Sequence, residues 1–540
     1  MSTNVQRSIS AIAERASYHA RSGIGLAALA FFAAIAVALF RITEWNGVAG
    51  RMLWAEDGHV FIRGAIEGGW RTLASPYAGY LHVYPRAVSL IAIAFGAHWL
   101  APIMAVGWLL AYGTAAVVCV QRLRTVNVCL LSALCFVVLL GILPTTSETL
   151  FTVTNAQWYL AIGLAACALL PPPERDSWPH LAFAAIASLT GPFCIIVLPV
   201  ALLQAIFTRQ LERRQWMLLI LLVASLVQLS FFVDSDRLAA SASNDASAWL
   251  HGLKSFFVFG SLSPTAGVAA LVFWLCLVVA LSTVGRQRGW LERDFLTTLS
   301  LLGGAGMFAL AGFYAMRDQP GNASPLGFGA RYFVIPYGVV LMALVTTVPY
   351  ARRAAWAAIA AYLVIACMNY RTFDRPDLGY QRYLRFSESY ENVFVPINPQ
   401  FENFRGGFWL NANVHSGQAV SPKEIDLTGA LNTSRTPAGV LVKSYVIEAK
   451  ASHCGPGVDV LGVNLMLDGN TGPAQVAAAW GGEESGPSPP AGQYLAVYPG
   501  EKQLQLALPA STATNDRLRI SLQSAEQAEV KRISLYCIGS

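Results

Sequence analysis

Residues 216–233 read WMLLILLVASLVQLSFFV, eighteen consecutive positions without a charged side chain, and Arg209, Arg213 and Arg214 stand just before them. As a helix such a run reaches across most of a bilayer's hydrocarbon, which takes about 20 apolar residues. Comparable runs lie at 102–120, 267–284, 295–313, 331–348 and 354–369, a longer one at 181–207, and shorter ones at 87–100, 128–143 and 158–170. With a run ending near Phe40, they predict an α-helical polytopic membrane protein of about 11 transmembrane helices.

Composition agrees with that reading. Of 540 residues, 55% are hydrophobic and only 13% charged, where a soluble domain carries about 25%, and the mean hydropathy is +0.48. A cytosolic enzyme is excluded. The formal charge of +6 is small and its basic residues fall in short clusters, so nucleic acid is not an expected partner.

Those clusters set the topology. Arg7, Arg15 and Arg21 precede the first run, which has no small-residue cleavage site. This makes it an uncleaved helix with a cytoplasmic N-terminus. Arg209/Arg213/Arg214, Arg286/Arg288/Arg293 and Arg352/Arg353 recur two spans apart, as cytoplasmic loops do. Segments 42–86, 234–253, 314–330 and all beyond 370 then face outward. By the same count Arg122 and Arg124 come out extracytoplasmic and residues 145–157 cytoplasmic. The break Thr190-Gly191-Pro192-Phe193 inside 181–207 suggests an interrupted helix at a cavity, with an ordinary proline kink as the commoner explanation.

After residue 370 the sequence turns polar and rich in Pro and Gly, with period-two alternation at Val442–Ile447, Val458–Leu467, Gln503–Leu508, Leu518–Leu522 and Val530–Tyr536. Alternation punctuated by turn residues predicts antiparallel strands. The expected division is a membrane domain over 1–370 with its first external loop at 42–86, a connector over 371–420, and a C-terminal extracytoplasmic β-sandwich over 421–540. Seven of the nine cysteines lie in apolar runs, leaving Cys454 and Cys537. Outside the cytoplasm disulfides persist, so these two are expected to form a bridge, with a pair of buried thiols as the alternative.

The chemistry-bearing residues concentrate in the first external loop. It reads Trp54-Ala55-Glu56-Asp57-Gly58-His59, then Phe61-Ile62-Arg63, and later His82-Val83-Tyr84-Pro85-Arg86. Two adjacent carboxylates near a bilayer surface are costly unless solvated or used; an acidic helix cap is the plainer reading. Further polar groups between apolar runs are Glu148 and the segment Thr154-Asn155-Ala156-Gln157-Trp158, and Arg331 follows a Gly-rich stretch in Gly329-Ala330-Arg331-Tyr332-Phe333.

These features together resemble the GT-C superfamily of polytopic glycosyltransferases. The Trp-Ala-Glu-Asp-Gly, Thr-Asn-Ala-Gln-Trp and Gly-Ala-Arg-Tyr-Phe segments are similar to those of bacterial members that modify cell-envelope glycans, over most of residues 20–370. The resemblance implies transfer of a sugar from a polyprenyl-phosphate donor to a glycan, lipid or protein acceptor on the outer face of the inner membrane. It also implies that an acidic residue of the first external loop is the general base. Carried onto this chain that residue is Asp57, with Glu56 beside it. A carboxylate can take the proton from an attacking hydroxyl, and a single displacement would invert the anomeric centre.

The leaving phosphate calls for fixed cations, and arginine holds two oxygens at once. Arg331 and Arg86 are the first candidates, with interfacial snorkelling as the structural alternative, followed by Arg63, His59 and His82. Tyr332, Glu148, Asn155, Gln157 and Trp158 are the remaining substrate-binding candidates. No cofactor is demanded; a divalent metal would draw on Asp234, Asp236 or Asp318. Trp480, Tyr494 or Tyr498 would offer the acceptor an aromatic face. The central expectation is that Asp57 and Arg331 face one lipid-accessible chamber. Rival readings are a polymerase or ligase using diphosphate-linked donors, and a lipid-linked sugar transporter or flippase, although no internal repeat of the transporter kind is evident.

Overall fold

A chain in hydrocarbon must satisfy its backbone polar groups internally, and helices do so segment by segment. The computed structural model describes residues 24–172, 176–233, 246–317 and 319–389, then strands between Val393 and Gly539. In chain order come α1 (Ile24–Leu39), α2 (Val48–Met52), α3 (Arg63–Gly68), α4 (Val83–Ala94), α5 (Leu100–Arg124), α6 (Leu130–Gly141), α7 (Ala156–Leu169) and α8 (Trp178–Ser188). They are followed by α9 (Phe193–Phe207), α10 (Leu211–Val233), α11 (Ala246–Phe257), α12 (Pro264–Arg288), α13 (Arg293–Ala315), α14 (Arg331–Thr347), α15 (Arg352–Met368) and α16 (Tyr380–Ser389).

Among the described residues four helical stretches, Ala97–Arg124, α10, α12 and α13, are long and apolar enough to cross a membrane, and shorter apolar helices accompany them. Leu219, Leu222, Val223 and Leu226 of α10 and Leu271, Leu275, Val278 and Val279 of α12 are exposed. Such an apolar surface is stable only against lipid. The protein is a helical membrane protein.

The chain divides into two compact units that do not follow chain order. One comprises residues 1–43, 73–85 and 106–374; the other 44–72, 86–105 and 375–540. The first external loop, expected as part of the membrane domain, thus contributes most of its length to the unit that carries the C-terminal strands.

In the helical unit α7 and α14 are the central pair. Every residue of α7 is buried, and α14 is buried from Phe333 to Thr347. One end of this unit collects the basic loops. The Arg122 guanidinium pairs with Asp176 at 2.5 Å, and Arg214 donates to the Ala168 carbonyl and to Gln204. Gln204 in turn donates to the Leu169 carbonyl at 2.7 Å and Tyr350 to Asp294 at 2.6 Å. At the opposite end Arg41 holds the carbonyls of Gly141 and Leu143 at 3.0 and 3.2 Å, and Tyr370 reaches the Phe40 carbonyl.

These contacts correct the early topology. Arg122 lies at the same end as Arg214, not opposite it, so α5 runs toward the basic end over about 37 Å at 1.5 Å per residue. Residues 145–157 lie at the other end, because Arg41 reaches the Thr145 carbonyl and Glu148 pairs with Arg331. Helix α4, with 12 residues, is about 18 Å long and falls short of a hydrocarbon core of about 30 Å.

The run 181–207 is likewise not one span. Helix α8 starts beside Asp176 and α9 finishes beside Gln204, both at the basic end. The arms, about 16 and 22 Å long for 11 and 15 residues, fall short of a hydrocarbon core of about 30 Å. They form a re-entrant pair whose tip, Leu189–Pro192, carries Gly191 at φ +101°.

In the other unit the described residues form eleven strands: β1 (Val393–Phe401), β2 (Phe404–Leu410), β3 (Lys423–Asp426), β4 (Asn432–Arg435), β5 (Val442–Ile447), β6 (Val458–Asp468), β7 (Ala474–Trp480), β8 (Gln493–Val497), β9 (Gln503–Pro509), β10 (Leu518–Ser524) and β11 (Glu529–Gly539). They make a β1–β2 hairpin, a five-stranded sheet ordered β4-β5-β10-β7-β8 and a four-stranded sheet ordered β3-β11-β6-β9, with antiparallel pairings throughout. Val463, Leu465, Leu504, Leu506, Ile533 and Leu535 bury one face of the latter. Helix α16 covers its other face: Phe386 fills the space left by Gly462, where a Cβ would sit 2.6 Å from its ring. The connector expected at 371–420 thus includes a packed helix and a hairpin. Cys537 is disulfide-bonded; Cys454, its expected partner, lies outside the described residues.

Candidate functional site

The N-termini of the two central helices, α7 and α14, carry the Thr154–Trp158 and Gly329–Phe333 segments, and the fold brings the two together. Arg331 forms an ion pair with Glu148, a residue 183 positions away. The Glu148 side chain is 8% exposed and that of Arg331 32%. Asn155 donates to the Glu148 carbonyl at 2.7 Å and accepts from the Trp158 indole N–H at 2.8 Å. The Trp158 ring meets Tyr332 edge-on at 5.4 Å between centroids and Phe193 at 5.1 Å. Five of the candidates thus form one connected cluster. Gln157 adjoins it, with a buried Oε1 that has no hydrogen-bond partner among the described residues.

Beside this cluster opens a cavity of about 430 Å³, lined by Trp158, Tyr332, Tyr80, Phe193 and Arg317 among mainly apolar side chains. Its wall includes Pro192, at the tip of the re-entrant pair. That tip leaves backbone groups unpaired inside the unit, which is tolerated only where protein or a cavity meets them. Gln228 of α10 donates to the Ser188 and Gly191 carbonyls at 3.1 and 3.0 Å and accepts from the Leu81 N–H at 2.8 Å. Gly191 donates to the Leu81 carbonyl. His82, expected as a weak substrate ligand, is 1% exposed and stacks against Tyr80 at 4.6 Å; it packs the tip.

Asp57, Glu56, His59, Arg63 and Arg86 belong to the other unit. Just after Trp54 a helical segment begins at Ala55 and continues as the π-helical residues Asp57–Ile62. Asp57 is fully buried, and its Oδ2 accepts the Trp54 N–H at 3.0 Å, as the acidic member of a capping box does. The plain capping role is therefore present, whatever else Asp57 does. Glu56 is half-buried, with an enclosed Oε2 that has no hydrogen-bond partner among the described residues. The loop seats on the β1–β2 hairpin at Gly58, where a Cβ would come 2.7 Å from Ile397 and 2.8 Å from Phe408.

Arg86 is buried, donates to the Thr72 hydroxyl at 2.5 Å and lies over the Phe61 ring. Its contacts fasten the loop. Arg63 is half exposed and pairs with Glu67 at 2.8 Å within α3, a surface contact worth little, and His59 is exposed. A residue that sequence reasoning passed over, Arg375, is buried over the Trp54 ring at 4.6 Å and donates to the Arg51 and Met52 carbonyls. Its only signal was a charge just past the last apolar run. The cavity residues Tyr80, Phe193 and Arg317 were not among the substrate-binding candidates: Tyr80 and Arg317 stand in loop sequence with no motif around them, and an aromatic such as Phe193 inside an apolar stretch looks like core.

Among the described residues no group of three His, Cys, Asp or Glu side chains gathers as metal ligands. Asp234, Asp236, Asp318 and Tyr498 lie outside the described residues, as do the side chains of Trp480 and Tyr494. No protein-family model, curated protein or solved structure matches this chain.

Proposed function

We propose that this chain is an integral-membrane glycosyltransferase. It takes a sugar from a polyprenyl-phosphate donor and passes it, with inversion, to an envelope glycan, lipid or protein on the extracytoplasmic side of a bacterial inner membrane. One observation carries this reading: Glu148, Asn155, Trp158, Arg331 and Tyr332 converge from distant segments into one cluster, two of whose members, Trp158 and Tyr332, line a largely apolar cavity in the helical unit. An apolar cavity suits a lipid, arginine suits its phosphate, and amide, carboxylate and aromatic groups suit sugar hydroxyls and ring faces.

In this reading the basic end of the helical unit faces the cytoplasm, the two sheets pack as a sandwich outside it, and the first-loop carboxylates supply the base. Asp57 is the first candidate and Glu56 the second. The test is sugar transfer from a lipid-phosphate donor in proteoliposomes. Asp57→Asn keeps an acceptor for the Trp54 N–H, so its melting temperature should stay near that of the unaltered protein while transfer falls by about 10³-fold, the scale on which general-base catalysis operates. Full activity in that variant rejects Asp57. If Glu56→Gln alone abolishes transfer, the base is the neighbour.

A further inference from the structure

The cavity in the helical unit is open on one side. Leu229 of α10 and Ala311, Tyr314 and Ala315 of α13 line it and are also exposed on the outer surface. Its mouth therefore lies between these two helices. Both are long and apolar enough to cross the membrane, and both start at the basic end. The mouth residues stand in their closing turns, near the opposite interface. An opening between crossing helices at that level meets hydrocarbon on one side and headgroups on the other.

Among the described residues that line the cavity, Arg317 alone is charged. It stands just past the end of α13 and is 7% exposed. It donates to the Tyr314 carbonyl at 3.1 Å, with its guanidinium 4.2 Å from the centroid of the Tyr314 ring. Carbonyl and ring together hold the guanidinium beside the mouth. Its planar fork carries five N–H donors, so it can take two phosphate oxygens and keep its bond to Tyr314. Arg331, by contrast, is engaged by Glu148 and is not among the lining residues. A volume of about 430 Å³ is that of a site for one drug-sized molecule. It admits the first part of one lipid chain and not two whole acyl chains.

Deepening the reading just proposed, and resting on it for the kind of chain, we infer that Arg317 anchors the phosphate of a single-chain isoprenoid lipid in this cavity. The chain enters sideways between α10 and α13. Its first isoprene units lie against Phe193, Leu229, Phe232 and Phe308, the remainder stays in the bilayer, and the phosphate meets Arg317 at the level of the headgroups.

Binding of farnesyl phosphate, farnesol and dioleoyl phosphatidic acid to the purified full chain in detergent tests head, chain and source separately. The unaltered protein should bind farnesyl phosphate roughly tenfold more tightly than farnesol, a difference of about 1.4 kcal/mol, and more tightly than dioleoyl phosphatidic acid. Arg317→Gln should bring farnesyl phosphate down to the level of farnesol, with farnesol binding itself kept as the sign of a folded protein. Arg317→Lys should recover part of the difference, since the charge returns without the fork. Ala311→Trp, on the lipid-facing side of the mouth, should weaken farnesyl phosphate and farnesol by the same factor. If the unaltered protein shows no preference over farnesol, if Arg317→Gln keeps the preference, or if Arg331→Gln removes it instead, the anchor is overturned while the donor reading stands. Equal binding of dioleoyl phosphatidic acid overturns the single-chain occupant, and an Ala311→Trp variant that binds as before overturns the sideways entry. If binding depends on Arg317 but no sugar moves from a lipid-phosphate donor in proteoliposomes, the transferase reading fails and the lipid site remains.

Discussion

Gln228 shows how much one side chain can decide in this bundle. It is fully buried and serves two carbonyls and one N–H at the tip of the re-entrant pair. Leucine at this position would fill similar space, remove the partner of the Gly191 carbonyl and of the Leu81 N–H, and leave the Ser188 carbonyl only the Cys194 thiol. Each unsatisfied buried group costs 1–3 kcal/mol, so Gln228→Leu should destabilise by about 2 kcal/mol or more. Thermal unfolding in detergent would show a clearly lower midpoint; an unchanged one would mean that the tip finds other partners. Asn155→Ala acts differently. It frees the Trp158 indole and the Glu148 carbonyl together, and the expected outcome is a fall in transfer of at least about tenfold, roughly one charge-independent hydrogen bond, with folding retained.

At the scale of elements, the re-entrant α8–α9 pair positions the cavity. Gly191 sits at φ +101°, and a Cβ there would lie 2.5 Å from the Phe193 ring and 2.8 Å from Gln157 Oε1. Gly191→Ala therefore combines backbone strain of order 1–3 kcal/mol with displacement of a cavity-lining aromatic. It should lower stability and raise KM for the lipid donor more than it lowers kcat, which steady-state kinetics can separate. The break at Thr190-Gly191-Pro192 was legible because Gly and Pro punctuate an apolar run. That the two arms return to the same end was not legible, since arms and spans have the same composition. The strands were legible for the opposite reason: alternation at Val442–Ile447 and Gln503–Leu508 reproduces β5 and β9 almost residue for residue, because period two has no helical counterpart.

At the scale of the molecule the corrected topology puts Cys129 at the basic end. It is an exposed free thiol, 3.1 Å from the Ser132 hydroxyl. Hydrogen bonds from Ser132 stabilise its thiolate and hold its pKa below the ordinary 9.0. A lowered pKa means that the reactive form is populated at lower pH. Alkylation by a membrane-impermeant maleimide should therefore reach its plateau below the usual thiol range, and Ser132→Ala should move that rise upward. In oriented vesicles peptide mapping should find Cys129 labelled from the cytoplasmic face alone; labelling from outside would return residues 122–129 to the earlier count.

The amino-acid sequence by itself determined that this is a helical membrane protein followed by antiparallel strands, because only those solutions dispose of so much apolar surface and of a two-residue alternation. It also picked out Glu148, Asn155, Trp158, Arg331 and Tyr332 by residue type. Tertiary structure alone decided that these five meet, that the two arms α8 and α9 return to one end, and that most of the first external loop groups with the C-terminal strands. The reason is physical: a polar group is settled by the partner that satisfies it, and that partner can stand 183 residues away.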